Sequence, residues 1–274
     1  MSDFEKEYYE SEQFWAGEAI QDENNLKRFR ETAVMIPADA ASLADIGCGN
    51  GLFVNYLQTE KPALKLMGVD RSNAALKYVK TDKQIGDIAA IPLANSSYDC
   101  VTCLEVIEHL PVDVYGKALA ELARVSGKYV IISVPYAEEL EENQTQCPQC
   151  KTIFNADLHL RNFSDSTMQQ LMQTYGFECV SFKKAGEIIN YKGHYAFRKK
   201  FYPEQFRLWR SPICPVCGFR DKEQVPQQQR SAGLQASTAI SPKRSMLSYF
   251  TGLPKLLWPK EKKYFWIIAL YKKI

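Results

Sequence analysis

The stretch "LADIGCGNG", Leu43 to Gly51, decides the fold. Leu43, Ala44 and Ile46 around Asp45 read as a short strand. Gly47, Gly49 and Gly51 then turn the chain into "LFVNYLQ", whose apolar positions recur at helical spacing. Glycine in such a turn lets the backbone approach a ligand closely, and the carboxyl end of a strand is where doubly wound sheets bind.

Outward from this turn the chain alternates short apolar runs with amphipathic ones: "LKLMGVD", "NAALKYVK", "YDCVTCL", "KALAELARV", "KYVIISVP". Alternation of this kind predicts an α/β fold, a Rossmann-like, doubly wound parallel sheet. Upstream, Leu26, Phe29, Ala33 and Ile36 predict a helix that stops at Pro37. Downstream of Pro135 the pattern breaks, then resumes as a predicted helix, "SDSTMQQLMQTYGF", and a strand around "ECVSFKKA". A Gln/Ser-rich piece, "EQVPQQQRSAGLQASTAISP", reads as a loop, and "KYFWIIALYKKI" as a last strand that rejoins the sheet. The expected organisation is an N-terminal helical cap over 1–40 and a core over 41–189 with an insertion around 136–160. A second insertion follows over 190–262, and the final strand over 263–274.

With 274 residues, 46% of them hydrophobic, the chain can bury the core of one full domain with room for an insertion. The formal charge of +2 hides an acidic start and a heavily basic stretch from Lys243 to Lys273. "MSDFEKEYYE" carries no apolar leader, and "YFWIIAL" is too short for a bilayer core of about 30 Å. The expected compartment is the cytoplasm, where eight cysteines do not make a disulfide framework. Cys48, Cys100, Cys103 and Cys179 read as buried thiols.

The other four cysteines form two turns of one pattern, "CPQC" at Cys147 and Cys150 and "CPVC" at Cys214 and Cys217. Each turn presents two thiolates, and two turns complete a closed tetrahedral site for one structural Zn²⁺. A redox CxxC or unrelated loop cysteines leave the duplication unexplained. The zinc would tie together two insertions flanking the sixth strand and stiffen a substrate lid.

Asp70 closes the second strand in "MGVD", where it can accept hydrogen bonds from two ribose hydroxyls, and Asp87 in "IGDIAAIPL" stands where an adenine amino group could be read. With "YDCVTCLEVIEHLP" the pattern resembles class I S-adenosylmethionine-dependent methyltransferases of the type 11 and ubiquinone-pathway kind, from about Ala41 to Phe182. The resemblance implies that Gly47, Gly49 and Gly51 line the methionine moiety, Asp45 fixes the loop and Asp70 holds the ribose. It places Asp87 and Ile88 against adenine and Leu104 under the cofactor. A nicotinamide enzyme would more usually show GxGxxG.

Glu105, Glu108 and His109 stand at i, i+3 and i+4, so one helical turn would point all three at the sulfonium. This ExxEH pattern resembles metal-assisted small-RNA 2′-O-methyltransferases and ubiquinone-pathway O-methyltransferases, which implies a divalent ion such as Mg²⁺. His159 in "LHLRNFS" stands where the RNA enzymes carry a further histidine ligand. The bland alternative is a turn that caps a helix and shapes the pocket without metal. His194 reads as structural.

The expected reaction is methyl transfer to oxygen, because no asparagine-proline-proline-aromatic motif follows the fourth strand. The CPxC turn leading into "HLRNF" is similar to bacterial methyltransferases of surface-glycan synthesis, which implies a saccharide or similar hydroxyl-bearing acceptor. RNA methylation, with the zinc element touching RNA, and a catalytically silent interaction module are the alternatives. In the tail, Lys243, Arg244, Lys255, Lys260, Lys262 and Lys263 interleave with Phe250, Leu253, Leu256, Leu257 and Trp258. That mixture suits either peripheral contact with the inner face of a membrane or packing on the core.

Overall fold

The computed structural model describes residues 3–15, 23–191, 196, 200, 208–211, 213–220 and 259–274. Its strands are β1 (Ser42–Ile46), β2 (Lys65–Asp70), β3 (Asp82–Ile85), β4 (Tyr98–Leu104), β5 (Ser126–Pro135), β6 (Gln144–Gln146), β7 (Ile153–Asn155), β8 (Phe177–Tyr191) and β9 (Lys260–Lys273). Seven of them form one sheet in the order β3-β2-β1-β4-β5-β9-β8, and β6 pairs with β7 in a separate ribbon.

β1 to β5 pair in parallel, as the alternation predicts. The sheet is mixed rather than wholly parallel, because β9 runs antiparallel to both β5 and β8. β8 reaches the edge after a crossover, and β9 returns in the opposite direction into the gap between β5 and β8. The last strand is thus an interior one: Trp266, Ile267, Ile268, Ala269 and Tyr271 are buried, and the Tyr271 hydroxyl donates to the Met168 carbonyl at 2.5 Å. Its regular part begins at Lys260, three residues before the predicted start.

Helices cover both faces, which is why the central strands read as nearly continuous apolar runs. Short α1 (Asp3–Tyr9) and α2 (Glu12–Trp15) precede α3 (Glu23–Met35), which lays Phe29, Ala33 and Met35 on a cluster with Leu43, Trp266 and Ile268. α4 (Leu52–Glu60) adds Phe53 and Leu57 to that cluster, and α5 (Asn73–Leu76) follows β2. On the other face α6 (Val112–Val125) buries Ala118, Leu119 and Leu122. α7 (Asp165–Gln170) opens on a capping box between Ser164 and Thr167, then tightens into a 3₁₀ turn at Gln173–Tyr175, so the predicted long helix is split. Cys48, Cys100 and Cys103 are buried as expected, whereas Cys179, on the edge strand β8, is only half-buried.

The Gln/Ser-rich piece, His194 and the stretch from Lys243 to Trp258 lie outside the described residues. Among the described residues no helix is long and apolar enough to cross a membrane.

Because β9 is buried between two partners, Ile267→Ala should cost about 2–5 kcal/mol through lost contacts and a cavity. The expected reading is a lower urea midpoint at unchanged slope; an unaltered midpoint would show that β9 is not part of the cooperative core.

Candidate active site and candidate metal centre

The glycine turn leaves β1 with Gly47, Gly49 and Gly51 all at positive φ. A Cβ at Gly49 would meet the Trp15 ring at 2.8 Å and one at Gly51 the Val79 Cα at 3.0 Å, so side chains fit neither place. Asp45 is buried at the strand end, where its Oδ1 accepts from the Thr102 hydroxyl at 2.6 Å. Burial pushes its carboxyl up to about 7, against the pull of Thr102 and the Arg28 charge. Asp70, also buried and also raised by that burial, accepts from the Gly49 and Ser72 amides, each at 2.8 Å. Those bonds tie the end of β2 to the glycine turn and leave further carboxylate lone pairs for a ligand's hydroxyls. Asp87 is exposed and accepts from the Ala89 amide, Ile88 is half-buried beside it, and Leu104 ends β4 half-buried on the α3 face.

Sequence reasoning missed two features of this edge. The first is an aromatic cap: the Ser72 hydroxyl donates to the Tyr9 carbonyl at 2.7 Å, the Asn50 amide to the Trp15 carbonyl at 3.3 Å, and Trp15 lies on Gly49. The second is Arg28 on α3, 8% exposed, whose Nε and Nη1 have no hydrogen-bond partner. Its guanidinium lies 3.5 Å from Glu105 Oε1 and over the Trp266 ring. Nothing in "LKRFRE" separates this buried arginine from its solvated neighbours.

The expected Glu105, Glu108 and His109 helical turn is not formed as one unit. Glu105 stands at φ 59, and only Ile107–His109 make a 3₁₀ turn. Glu105 accepts from the Trp266 indole at 2.7 Å and the Ser133 hydroxyl at 3.0 Å. Glu108, His109 and His159 do come together, with the two imidazole rings 4.7 Å apart. Glu108 is fully buried and neither of its carboxylate oxygens has a hydrogen-bond partner; His109 Nδ1 also lacks one. Burial, helped by the Glu105 charge, lifts Glu108 to about 8. Burial and the neighbouring His159 hold His109 down at about 3. Burial would depress His159 too, but its bond to Glu138, with Glu108 and Asp157 nearby, overrides that and lifts it to about 9. Unpaired buried oxygens beside two imidazoles fit a divalent cation, or an acceptor hydroxyl.

Glu138 is a partner that no motif announced, since its Oε2 pairs with His159 Nδ1. Ala137 and Leu158, the residues just before the two, stand at φ 47 and 62, left-handed backbone that costs a non-glycine residue about 1–3 kcal/mol. Beside them an open cleft is lined by Glu139, Leu140, Glu141, Glu142, Leu160, Arg161 and Asn162. The Leu160 amide donates to the Glu108 carbonyl at 2.9 Å, and Arg161 to the Ile107 carbonyl at 2.5 Å, so the cleft wall is fastened to the 3₁₀ turn.

The four CPxC cysteines meet, with Cys147 to Cys217 and Cys150 to Cys214 both 3.6 Å between sulfurs. That is far beyond a disulfide and close to the roughly 3.8 Å edge of a tetrahedron with Zn–S bonds of about 2.3 Å. The turns are alike in backbone: the Cys147 amide donates to the Thr152 carbonyl and the Cys214 amide to the Phe219 carbonyl. Lys151 and Gly218, each following a second cysteine, both take positive φ.

A family model described as a methyltransferase domain matches residues 19–182. The chain is 28% identical over 141 residues to a ubiquinone biosynthesis O-methyltransferase of Sinorhizobium medicae, covering 48% of this chain and 54% of that one. It is 29% identical over 158 residues to a small RNA 2′-O-methyltransferase of Arabidopsis thaliana, covering 50% of this chain and 16% of that one. It therefore spans about half the length, or less, of these relatives. Among solved structures it superposes on a chain of the complex between the Haloferax volcanii Trm112 methyltransferase activator and a methyltransferase. The TM-score is 0.54 at 11% identity, covering 100% of this chain and 98% of that one, a likeness of fold alone. The expected Rossmann-like α/β architecture is the one observed.

The raised carboxyl of Asp45 sets a pH dependence. The folded chain keeps a proton there that the unfolded chain has released, so its contribution to stability falls as pH rises from about 4 to about 7. Asp45→Asn, which still accepts from Thr102, should flatten the fall in melting temperature between about pH 5 and 7 in the ligand-free protein. An equally steep fall in that variant would assign the dependence elsewhere.

Proposed function

The chain belongs to the methyltransferase domain family, and from that premise we propose that it methylates a hydroxyl oxygen of a saccharide or similar metabolite, using S-adenosylmethionine, in the cytoplasm. The observation that carries the acceptor side is Glu108, fully buried with both oxygens unpaired, in the turn that follows β4. S-adenosylmethionine supplies a methyl group on a sulfonium, poised for in-line attack. The chain's own work is then binding, alignment and proton handling.

Buried Asp70, with lone pairs to spare, would take the ribose hydroxyls. Gly47, Gly49 and Gly51 would admit the methionine moiety against their backbone, with Asp45 bracing the turn through Thr102. Arg28, a buried cation whose Nε and Nη1 make no hydrogen bond although Nη1 lies 3.5 Å from Glu105, would take the methionine carboxylate. Asp87 and Ile88 would flank the adenine, and Leu104 would lie beneath the cofactor.

On the acceptor side, the hydroxyl proton would pass to the cluster of Glu108, His109 and His159 as the oxygen attacks. With Glu108 lifted to about 8 and His159 to about 9, the handover would run through the ionised form of Glu108. The same three residues would hold a divalent ion such as Mg²⁺, which would make a coordinated hydroxyl more acidic. Glu105 would act from behind, bracing the turn. The cleft favours an uncharged acceptor over RNA, because Glu139, Glu141 and Glu142 line it and a polyanion needs lysine and arginine there. A lipid-linked acceptor would suit the basic and aromatic segment from Lys243 to Lys263, which fits an anionic membrane face.

Cys147, Cys150, Cys214 and Cys217 would bind one structural Zn²⁺, with no open position for chemistry. Thr152 holds the Cys150 thiol down at about 6 through its side chain and backbone, whereas burial pushes the Cys214 thiol up to about 12, so binding a metal would release protons from the cluster.

Calorimetry should show S-adenosylhomocysteine binding that Asp70→Ala weakens by about tenfold to a hundredfold, as hydrogen bonds to the ribose are lost. Unchanged affinity would remove Asp70 from the site. Tritiated methyl transfer should label lipid-linked glycan or small hydroxyl-bearing metabolites, and Glu108→Gln should abolish the label; label in RNA alone would overturn the saccharide reading. Elemental analysis should find about one zinc per chain. Cys147→Ser and Cys214→Ser should each lose it, and retention in either variant would show that the turns do not share an ion.

A further inference from the structure

Between the four cysteines and His159 stands one side chain with an unusual set of partners. Asn155 is the last residue of β7, the strand that returns from the first CPxC turn. Its Oδ1 accepts from the Asp157 amide at 2.9 Å and from the His159 amide at 3.3 Å. Its Nδ2 donates to Glu138 Oε1 and to the Leu140 carbonyl, both at 3.2 Å. One carboxamide therefore grips the backbone of His159 with its acceptor and the carboxylate that pairs with His159 Nδ1 with its donor.

This grip depends on where β7 is held. β6 and β7 have three residues each and pair only with one another, Gln144 opposite Asn155 and Gln146 opposite Ile153. An isolated two-stranded ribbon of that length has no independent stability. It closes on the Cys147 turn at one end, while at the other the Ala156 amide donates to the Asn143 carbonyl and the Asn143 side chain pairs with Asp157. Among the described residues the second CPxC segment, with Cys214 64 residues on from Cys150, meets the first through the sulfurs, the bonds of Thr145 with Leu208 and Arg210, the bond of Arg210 to the Gln144 carbonyl and the Phe154–Trp209 ring contact. A metal at the sulfurs would lock these contacts and the ribbon together.

The left-handed backbones of Ala137 and Leu158 give the same picture, since each aims the residue after it, Glu138 or His159, into the pair. Strain of this kind persists only where surrounding contacts hold it, and Asn155 makes those contacts on both sides.

We propose that Asn155 is the positioning residue through which the zinc-bound turn sets the acceptor half of the site, by holding His159 and Glu138 against one another. The proposal rests on the zinc and methyltransferase readings above and reaches further: the zinc becomes the support of His159 in particular. Asn155 touches no reacting atom and acts through His159.

The test uses the full chain, with hydrogen exchange and the imidazole ¹⁵N spectrum as readouts, so no acceptor is needed. In zinc-loaded Asn155→Ala, amide exchange at 157 and 159 should rise by roughly tenfold, as expected when local hydrogen bonds are lost, with exchange at 43–57 unchanged. The His159 ¹⁵N shifts should move from a carboxylate-paired imidazole toward a free one, and S-adenosylhomocysteine affinity should hold. Asn155→Asp keeps the acceptor and loses the donors, so it should retain amide protection at 157 and 159 while losing the imidazole signature. Zinc removal by chelation should reproduce the Asn155→Ala pattern at 157 and 159 and in the imidazole spectrum. Zinc bound with neither readout changed in Asn155→Ala overturns the proposal alone, as does zinc removal that leaves the amides of 157 and 159 protected. A parent chain without zinc overturns the zinc reading and this link with it.

Discussion

Glu105 sits at φ 59, where a residue with a side chain is strained, and partners from three other elements hold it there. The Ser133 hydroxyl of β5 and the Trp266 indole of β9 donate to its two oxygens, and Arg28 of α3 supplies the counter-charge. One carboxylate thus joins the end of β4 to β5, to the last strand and to the helix that covers that face. Its reversed backbone also ends the strand abruptly, so the next residues coil into a 3₁₀ turn and deliver Glu108 and His109 beside His159. The interior position of β9 matters for the same reason, since Trp266 reaches Glu105 only because β9 lies directly beside β5.

The carboxyl edge gathers more buried polarity than stability alone would select. Asp45, Asp70, Glu108 and Arg28 are all under 10% exposed, and two of the four carry side-chain atoms without partners. Leaving a buried charged or polar group unpaired costs about 1–3 kcal/mol or more, and a fold keeps such groups where a ligand completes them. The two halves of the edge solve the problem differently. Asp45 and Asp70 are satisfied by the chain itself, through Thr102, Gly49 and Ser72, so that half is formed before any ligand arrives. Glu108 has no such partner and stays costly until something enters.

The legible parts of the sequence were those ruled by local chemistry. Three glycines at positive φ, an acid closing the neighbouring strand and two CPxC turns each declare themselves within a few residues, and the structure brings each set together. Periodicity misled at Glu105, because i, i+3, i+4 spacing predicts a shared helical face only if the helix includes the first residue, and here it starts at Ile107. Arg28, Glu138 and Asn155 were invisible for another reason. Their importance lies in partners that sequence distance hides: Arg28 lies by Glu105, Glu138 by His159, and Asn155 grips both sides of that pair. The direction of β9 was equally hidden, since a strand's apolar run does not say which way it runs.

The charge of the acceptor wall follows from the way it is built. The segment from Glu138 to Asp157 has no large core of its own, so polar bonds hold it: Asn155 to Glu138, Asn143 to Asp157, Arg210 to the Gln144 carbonyl. A wall made from carboxylates and amides is firm without being apolar, and Glu139, Glu141 and Glu142 give the cleft beside His159 negative charge. On the proposed reading an uncharged polyol would lose nothing there and would gain hydrogen-bond acceptors for its hydroxyls. A phosphate chain would meet Glu139, Glu141 and Glu142 with Arg161 already committed to the Ile107 carbonyl and the Tyr115 ring. The proposed preference for an uncharged acceptor thus rests on Glu139, Glu141 and Glu142, which directly follow the Glu138 that pairs with His159.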